Sequence, residues 1–259
     1  MKKKEICKVV SQEELSSGIF SMYLETEAIA REARPGQFVM VYSGDSAKML
    51  GRPISLCGID QNQGQIRLVY RVTGAGTGTE EFSRLSAGDT VSVLGPLGNG
   101  FPLEKAAGKH LLLAGGGIGI PPLLETERQA EGKCTAVLGY RDSRMFLKDE
   151  FAQAGELCIA TEDGSAGTRG NILDAIREKD LHPEIIFACG PMPMLKALAA
   201  WAEGEKIPCY ISLEERMACG IGACLGCVCK TKETDEHTHV HNRRICKEGP
   251  VFLSTEVEL

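Results

Sequence analysis

The stretch Glu214-Glu-Arg-Met-Ala-Cys-Gly-Ile-Gly-Ala-Cys-Leu-Gly-Cys-Val-Cys-Lys230, followed by Arg244-Ile-Cys-Lys-Glu-Gly-Pro250, decides how the rest of the chain is read. Taken as ligands, Cys219, Cys224 and Cys227 give C-x4-C-x2-C with a distant fourth cysteine at Cys246, the plant-type spacing for a [2Fe–2S] cluster. Glycines at 220, 222 and 226 let a loop wrap a small inorganic core. They also leave backbone N–H groups free to point at its sulfurs, where hydrogen bonds tune the reduction potential.

Other readings of the cysteines compete. A structural zinc site also takes four thiolates, but it pairs them as C-x2-C knuckles on both sides, and one such pair is present. A disulfide framework needs an oxidising compartment, which nothing in the sequence supports. Cys229 could replace one of the four and is read as a spare thiol. His237, His239 and His241 alternate as strand-borne metal ligands would, but their charged neighbours favour a solvated hairpin.

With 259 residues and 43% hydrophobic content, the chain can bury two modest cores. A formal charge of −6 argues against a nucleic-acid partner, since phosphate binding wants a basic face. The start Met1-Lys-Lys-Lys-Glu5 leads into no apolar run of signal-peptide length, and no later segment reads as a bilayer span. A cytoplasmic location with no membrane partner is therefore expected. Seven of the eleven cysteines lie outside the motif in mostly apolar settings, where small buried thiols are ordinary.

Residues 1–104 read as short strands over Glu5–Val10, Ile19–Glu25, Gln37–Tyr42, Pro53–Ile59, Gln65–Val72 and Thr90–Leu94. Turn signals at Pro35-Gly36, Gly44-Asp45, Asn62-Gln-Gly64 and Gly88-Asp89 give the rhythm of a small antiparallel barrel. Within it, Arg52, Pro53, Ile54 and Ser55 combine a guanidinium suited to a diphosphate, a stiffened strand entry and a hydroxyl able to bond a flavin edge. Val69, Tyr70 and Arg71 end the next strand. Gly74-Ala-Gly-Thr-Gly-Thr-Glu80 then opens a short helix running through Phe82 and Leu85, with Gly76 and Thr77 at its anion-friendly N-terminus. Thr77 and Glu80 also have capping-box spacing, so a plain helix start explains the same residues. Two phosphate-competent elements in one barrel favour a diphosphate cofactor.

From 105 to 213 the pattern changes. Apolar runs at His110–Ala114, Cys134–Tyr140, Glu156–Ala160, Ile185–Cys189 and Cys209–Leu213 alternate with helical segments, including Asn171–Lys179 with Asn171 as N-cap. This is the pattern of a doubly wound α/β domain. Gly115, Gly116, Gly117 and Gly119 form a glycine-rich turn before a helix, suited to a pyrophosphate, although a tight structural turn would look the same. Cys189, Gly190 and Pro191 form a second turn, which the carboxyl-end rule places at the same crevice. Glu162-Asp163 is acidic and Tyr140-Arg-Asp142 carries one arginine, which favours NAD over NADP.

Arg52–Ser55, Gly74–Thr79, Gly115–Gly119 and Cys189–Pro191, in that order, resemble the ferredoxin–NAD(P) reductase superfamily. With Glu214–Cys227 and Cys246–Phe252 added, the chain is similar end to end to the electron-transfer subunits of type B dihydroorotate dehydrogenases. The resemblance implies an α+β multidomain protein. Its parts would be an antiparallel β-barrel for FAD over 1–104, an α/β parallel-sheet domain for NAD over 105–213 and a small [2Fe–2S] module over 214–259. It also implies that Arg52–Ser55, Val69–Arg71, Gly76 and Thr77 contact FAD and that Cys219, Cys224, Cys227 and Cys246 ligate the cluster. The interval from Cys227 to Cys246 is longer than the family pattern, with the histidine loop inserted. A partner subunit holding FMN and oxidising dihydroorotate is implied as well, in a two-plus-two complex serving pyrimidine synthesis. Within that reading Ser55 would bond the flavin edge and Cys189 would pack near the nicotinamide. The small subunit of a ferredoxin-dependent NAD(P) reductase or sulfide dehydrogenase shares this plan, and a zinc-stabilised nucleotide-binding regulator is the reading from another class.

Overall fold

The computed structural model describes residues 2–234 and 240–259. Six antiparallel strands, β1 (Lys3–Ser16), β2 (Ile19–Glu25), β3 (Phe38–Tyr42), β4 (Arg52–Asp60), β5 (Gln65–Arg71) and β6 (Thr90–Leu97), close a barrel in the order β1-β2-β5-β4-β3-β6. β1 continues well past the expected end at Val10 because it serves two neighbours, β6 through Lys3–Lys8 and β2 through Lys8–Ser16. Its second half, Ser11-Gln-Glu-Glu14, is polar and largely exposed, so no apolar alternation announces it. The short helices α1 (Glu27–Glu32) and α2 (Gly78–Phe82) lie against the barrel, burying Ile29, Ala30 and Phe82. α2 stops at Phe82, short of the expected Leu85.

Strand alternation gives the barrel two faces. On β3, Val39 and Val41 point inward to Leu24, Leu56, Leu68 and Val93, whereas Phe38 and Met40 point outward into a different core.

That outer core belongs to the second unit. α3 (Leu103–Ala106), β7 (Leu111–Gly116), α4 (Pro121–Gln129), β8 (Cys134–Tyr140), α5 (Lys148–Ala154), β9 (Glu156–Thr161), β10 (Thr168–Arg169), α6 (Ile172–Glu178), β11 (Ile185–Cys189), α7 (Met192–Gly204) and β12 (Cys209–Ser212) follow in turn. Asn171 caps α6 in a full capping box, accepting from the Leu173 and Asp174 N–H groups while its own N–H donates to the Asp174 carboxylate. The tail adds the hairpin β13 (Val228–Lys230) and β14 (Asn242–Arg244), and then β15 (Val251–Leu253). The sheet order is β10-β9-β8-β7-β11-β12-β15, parallel except for β15, which runs antiparallel to β12. The chain winds from β7 outward through β8 and β9, then returns to β11 on the other side, which puts the topological switch between β7 and β11.

The tail is tied to both units. Leu213 N–H donates to the Pro250 carbonyl at 2.9 Å, and Asn99 N–H at the end of the barrel donates to the Gly249 carbonyl at 2.6 Å. Met217, Cys227, Ile245, Cys246 and Val257 share one core with Phe38, Met40 and Leu97 of the barrel and with Ala188 and Ile211 of the sheet. On the other side of the sheet, Phe101 stacks on Phe187 with ring centroids 5.0 Å apart. Among the described residues no helix is long and apolar enough to cross a membrane.

Among the described residues, one buried carboxyl lacks a hydrogen-bond partner. Glu127 on α4 is 4% exposed, and neither carboxylate oxygen has a hydrogen-bond partner. Burial pushes its carboxyl up from 4.5 to about 8, against a small opposing pull from Arg128. The folded chain therefore holds this proton more tightly than the unfolded one does. The stability Glu127 contributes is complete below pH 4.5 and is lost as the pH rises through about 8. Thermal melts of the purified protein across that window should show Tm falling with pH in the native sequence, and Glu127→Gln should remove the part of the slope that Glu127 supplies.

Candidate functional site

At the carboxyl ends of β7 and β11, two turns are pressed together. A Cβ on Gly119 would lie 2.4 Å from the Cys189 carbonyl carbon and oxygen, and one on Gly116 would lie 2.6 Å from Met194 Sδ and 3.1 Å from Pro191 Cδ. The glycines there are required by turn-on-turn contact. Close packing thus explains the glycines, and the two turns meet at the topological switch point, the edge where such sheets collect ligands. Gly115 is enclosed by Ile120, Leu123 and Leu138. Gly117 adopts φ +55°, and a Cβ on it would sit 3.8 Å from the Arg71 guanidinium, which places the end of barrel strand β5 over the turn.

Glu214 follows β12 and joins this crevice. It is open to solvent, yet burial by the cleft walls raises its carboxyl while the Arg71 charge pulls it down. Cys189 is 1% exposed, and its thiol is pushed up first by burial and then by the Glu214 charge. The carboxyl-end rule could have flagged Glu214, since it stands at the same edge of the sheet as the two turns. At the neighbouring edge, hydrogen bonds from Arg144 hold the Asp142 carboxyl down at about 2, and hydrogen bonds from Ser165 lower the Asp163 carboxyl against the opposing Asp142 charge. Arg144 is thereby occupied by Asp142, at an edge that also carries Asp163.

On the barrel, Arg52 donates to the Leu50 carbonyl at 2.6 Å and lies beside Gly78, where a Cβ would be 3.4 Å from its Nε. The guanidinium therefore stands at the start of α2. Thr77 caps that helix, accepting from the Glu80 N–H at 3.3 Å, while the Glu80 carboxylate accepts from Gly76 at 2.6 Å, one residue earlier than a capping box requires. Gly74 and Gly76 have positive φ and open space where a side chain would be. Pro53 and Ser55 pair with the outward residues Met40 and Phe38. Val69 also faces outward, toward the core that contains Cys189. Ile54 and Tyr70 face into the barrel, and the Tyr70 hydroxyl donates to Gln12 at 2.9 Å. These two can offer a bound cofactor only their backbones.

The cysteines form two close pairs. Cys224 lies beside Cys219 and Cys246 beside Cys227, each close enough to shift its neighbour's thiol. Burial pushes Cys219 up, but N–H groups of Ile221, Cys224 and Ala223 aimed at its sulfur outweigh that and bring it down to about 6. Cys246 is pushed up to about 12 by burial and by Cys227 beside it, and its N–H donates to Cys227 Sγ at 3.4 Å. Among the described residues no three ligating side chains converge on one point. Two sulfur pairs match two irons, each iron taking two cysteines, better than they match one tetrahedral zinc. Cys229 instead donates to the Arg243 carbonyl across its own hairpin at 3.5 Å. His237 and His239 lie outside the described residues, and exposed His241 meets the Thr234 hydroxyl at 2.8 Å. Arg244, which the spacing of cysteines did not single out, donates to the Gly222 carbonyl at 2.7 Å and pairs with Glu248, clamping the loop from behind.

Comparison with known proteins agrees with this arrangement. Residues 6–101 match an oxidoreductase FAD-binding domain, and residues 214–258 match the iron–sulfur cluster binding domain of dihydroorotate dehydrogenase B. The electron transfer subunit of dihydroorotate dehydrogenase B (NAD+) from Bacillus caldolyticus is 44% identical over 99% of both chains. Its counterpart from Geobacillus sp. (strain WCH70) is 43% identical over the full length of both. The chain belongs to the family of dihydroorotate dehydrogenase B (NAD+) electron transfer subunits. A chain of an NADH-dependent reduced ferredoxin–NADP oxidoreductase, solved in work on flavin-based electron bifurcation, superposes with a TM-score of 0.86 at 28% identity. The match covers 98% of this chain and 90% of that one. The chain is accordingly an oxidoreductase subunit that takes FAD, an iron–sulfur cluster and NAD.

The turn contact gives a direct test. Gly119→Ala has no room beside the Cys189 backbone. NADH should then no longer bleach the flavin, while flavin and iron contents of the purified protein stay near those of the native sequence.

Proposed function

We propose that this chain links two-electron chemistry at NAD to one-electron traffic with a partner subunit. That partner would hold FMN and oxidise dihydroorotate to orotate, in a cytoplasmic two-plus-two complex of the pyrimidine pathway. FAD, when bound, exchanges a hydride with the nicotinamide, and a [2Fe–2S] cluster passes electrons singly. The functional units are 1–104 for FAD, 105–213 for NAD and 214–259 for the cluster.

The geometry supports the following assignment of residues. Arg52, Gly76 and Thr77 hold the diphosphate of FAD. Pro53, Ser55, Val69 and Arg71 face the isoalloxazine side of the barrel, with Ile54 and Tyr70 contributing backbone. Gly115, Gly116, Gly117, Gly119, Cys189, Gly190 and Pro191 shape the nicotinamide crevice, and Glu214 and Arg71 flank it with opposite charges. Cys219 and Cys224 hold one iron, and Cys227 and Cys246 hold the other. Asp142 and Asp163 disfavour a 2′-phosphate, so NAD is the nucleotide. No residue here needs to act as an acid or base, and the protein's work is placement and tuning.

The observation that carries this reading is the single core shared by the cysteine loop, the outer barrel face and the sheet. It supports three sites within reach of one another in one chain. Cys224 is exposed at the tip of the loop, between Ile221 (44% exposed) and Leu225 (62% exposed), the latter at φ +57°. Apolar side chains held out around an exposed ligand suit a docking face for the FMN subunit. The likeness to the ferredoxin–NADP oxidoreductase chain supports a second reading with a ferredoxin-linked partner, but the full-length identity to dihydroorotate dehydrogenase subunits favours the first.

Cys224→Ser separates the steps. NADH should still bleach the flavin at close to the native rate, whereas electron exchange with the FMN subunit should be lost. Equal loss of both would mean that the cysteine loop is only structural.

A further inference from the structure

Between the residues assigned to flavin and those assigned to the iron–sulfur cluster stands the fully buried side chain of Met40, at 0% exposure. It lies on the outer face of β3, directly opposite Pro53 on β4, with Phe38 opposite Ser55 two residues along. The outward side chains of β3 are therefore next-door neighbours of the outward side chains of the flavin segment.

Met40 reaches past this strand pair in both directions. A Cβ on Gly51, next to Arg52, would lie 3.1 Å from Met40 Cε. A Cβ on Gly220, next to Cys219, would lie 2.7 Å from Met40 Cγ and 3.2 Å from Sδ. Gly220 adopts φ +67°, so its backbone is held in a conformation that favours glycine, and the space a side chain would fill is taken by Met40, with Leu97 of β6 at 3.3 Å. Tyr42, the next outward residue on β3, would lie 3.1 Å from the same Cβ on Gly51, and its hydroxyl is raised by burial and then by the Cys219 charge. The methionine is unbranched and polarizable, which suits it to an irregular gap between two backbones.

We infer that Met40 is a positioning residue for electron exchange between flavin and cluster. It fixes the distance from the Cys219–Gly220 loop to the Gly51–Ser55 segment and fills the gap with atoms. The inference rests on the proposed assignment of FAD to the barrel face and of the cluster to the four cysteines. The methionine itself is neither oxidised nor reduced. With both cofactors bound, a hydride from NADH would bring the flavin two electrons and a proton; the electrons would cross this contact one at a time, and the proton would leave to solvent. A gap opened here slows that passage because the two backbones lose their shared packing and the loop relaxes.

The test compares Met40→Ala with the volume-conserving Met40→Leu in the full chain with both cofactors loaded. Stopped-flow mixing with NADH reads flavin bleaching first and the cluster signal second, and a chelator challenge reads how firmly iron is held. Met40→Ala should leave flavin bleaching unchanged, slow the cluster phase several-fold and speed iron loss to the chelator. Met40→Leu should fall between Met40→Ala and the native protein on both readouts. If Met40→Ala cannot retain iron while Met40→Leu does, the loop depends on this side chain for its position and the inference stands. A cluster phase and an iron-loss rate that match the native protein in both variants would overturn it. A native protein that binds no flavin or no iron would instead overturn the cofactor assignment beneath it.

Discussion

Strand β3 is the constraint on which the rest of the molecule depends, because both of its faces are used. Val39 and Val41 complete the interior of the barrel, while Phe38 and Met40 enter the core that holds the cysteine loop and one side of the parallel sheet. A five-residue strand thus belongs to two hydrophobic cores at once. Shifting its register by one residue would turn valines outward and bury Phe38 and Met40 in the barrel, undoing the barrel and the tail attachment together. The cysteine loop has too few apolar residues to fold alone, so it borrows its core from the barrel and its last strand from the sheet.

The same economy governs the polar groups. Backbone N–H groups face the Cys219 sulfur, and a guanidinium fastens Gly222 from the other side. Each of these supports negative charge on sulfur in a place where burial alone would oppose it. At the turns that end β7 and β11 the balance is different. Glu214 follows the sheet strand β12 and Arg71 ends the barrel strand β5, and the Arg71 charge pulls the Glu214 carboxyl down against the burial that raises it.

Much of this was legible in the sequence, for physical reasons that can be named. Buried parallel strands are uninterrupted apolar runs, so Cys134–Tyr140 and Ile185–Cys189 match β8 and β11 to the residue. The cysteine spacing is equally local, and so is the Asn171 cap. What stayed hidden depends on tertiary context. Phe-Val-Met-Val-Tyr on β3 is apolar at every position, so no pattern says which residues face the barrel and which face the tail. Tyr70 is hidden for the same reason, since Leu-Val-Tyr on β5 does not reveal that its ring turns inward. β15 is three residues long, and its partner β12 lies forty positions earlier, so nothing local marks it as an edge strand. The glycines at 116, 119 and 220 read as places where a cofactor approaches the backbone, and the sequence alone does not show that Met194, Cys189 and Met40 also crowd them.

The central claim is that this chain carries electrons between a dihydroorotate-oxidising partner and NAD. The most direct measurement is made anaerobically on the complex this chain forms in its own cells, by adding dihydroorotate and NAD+ and following NADH. The account predicts NADH formation that ceases when this chain is removed and returns when it is added back. Dihydroorotate oxidation without NADH, or NADH formation that persists without this chain, would contradict it.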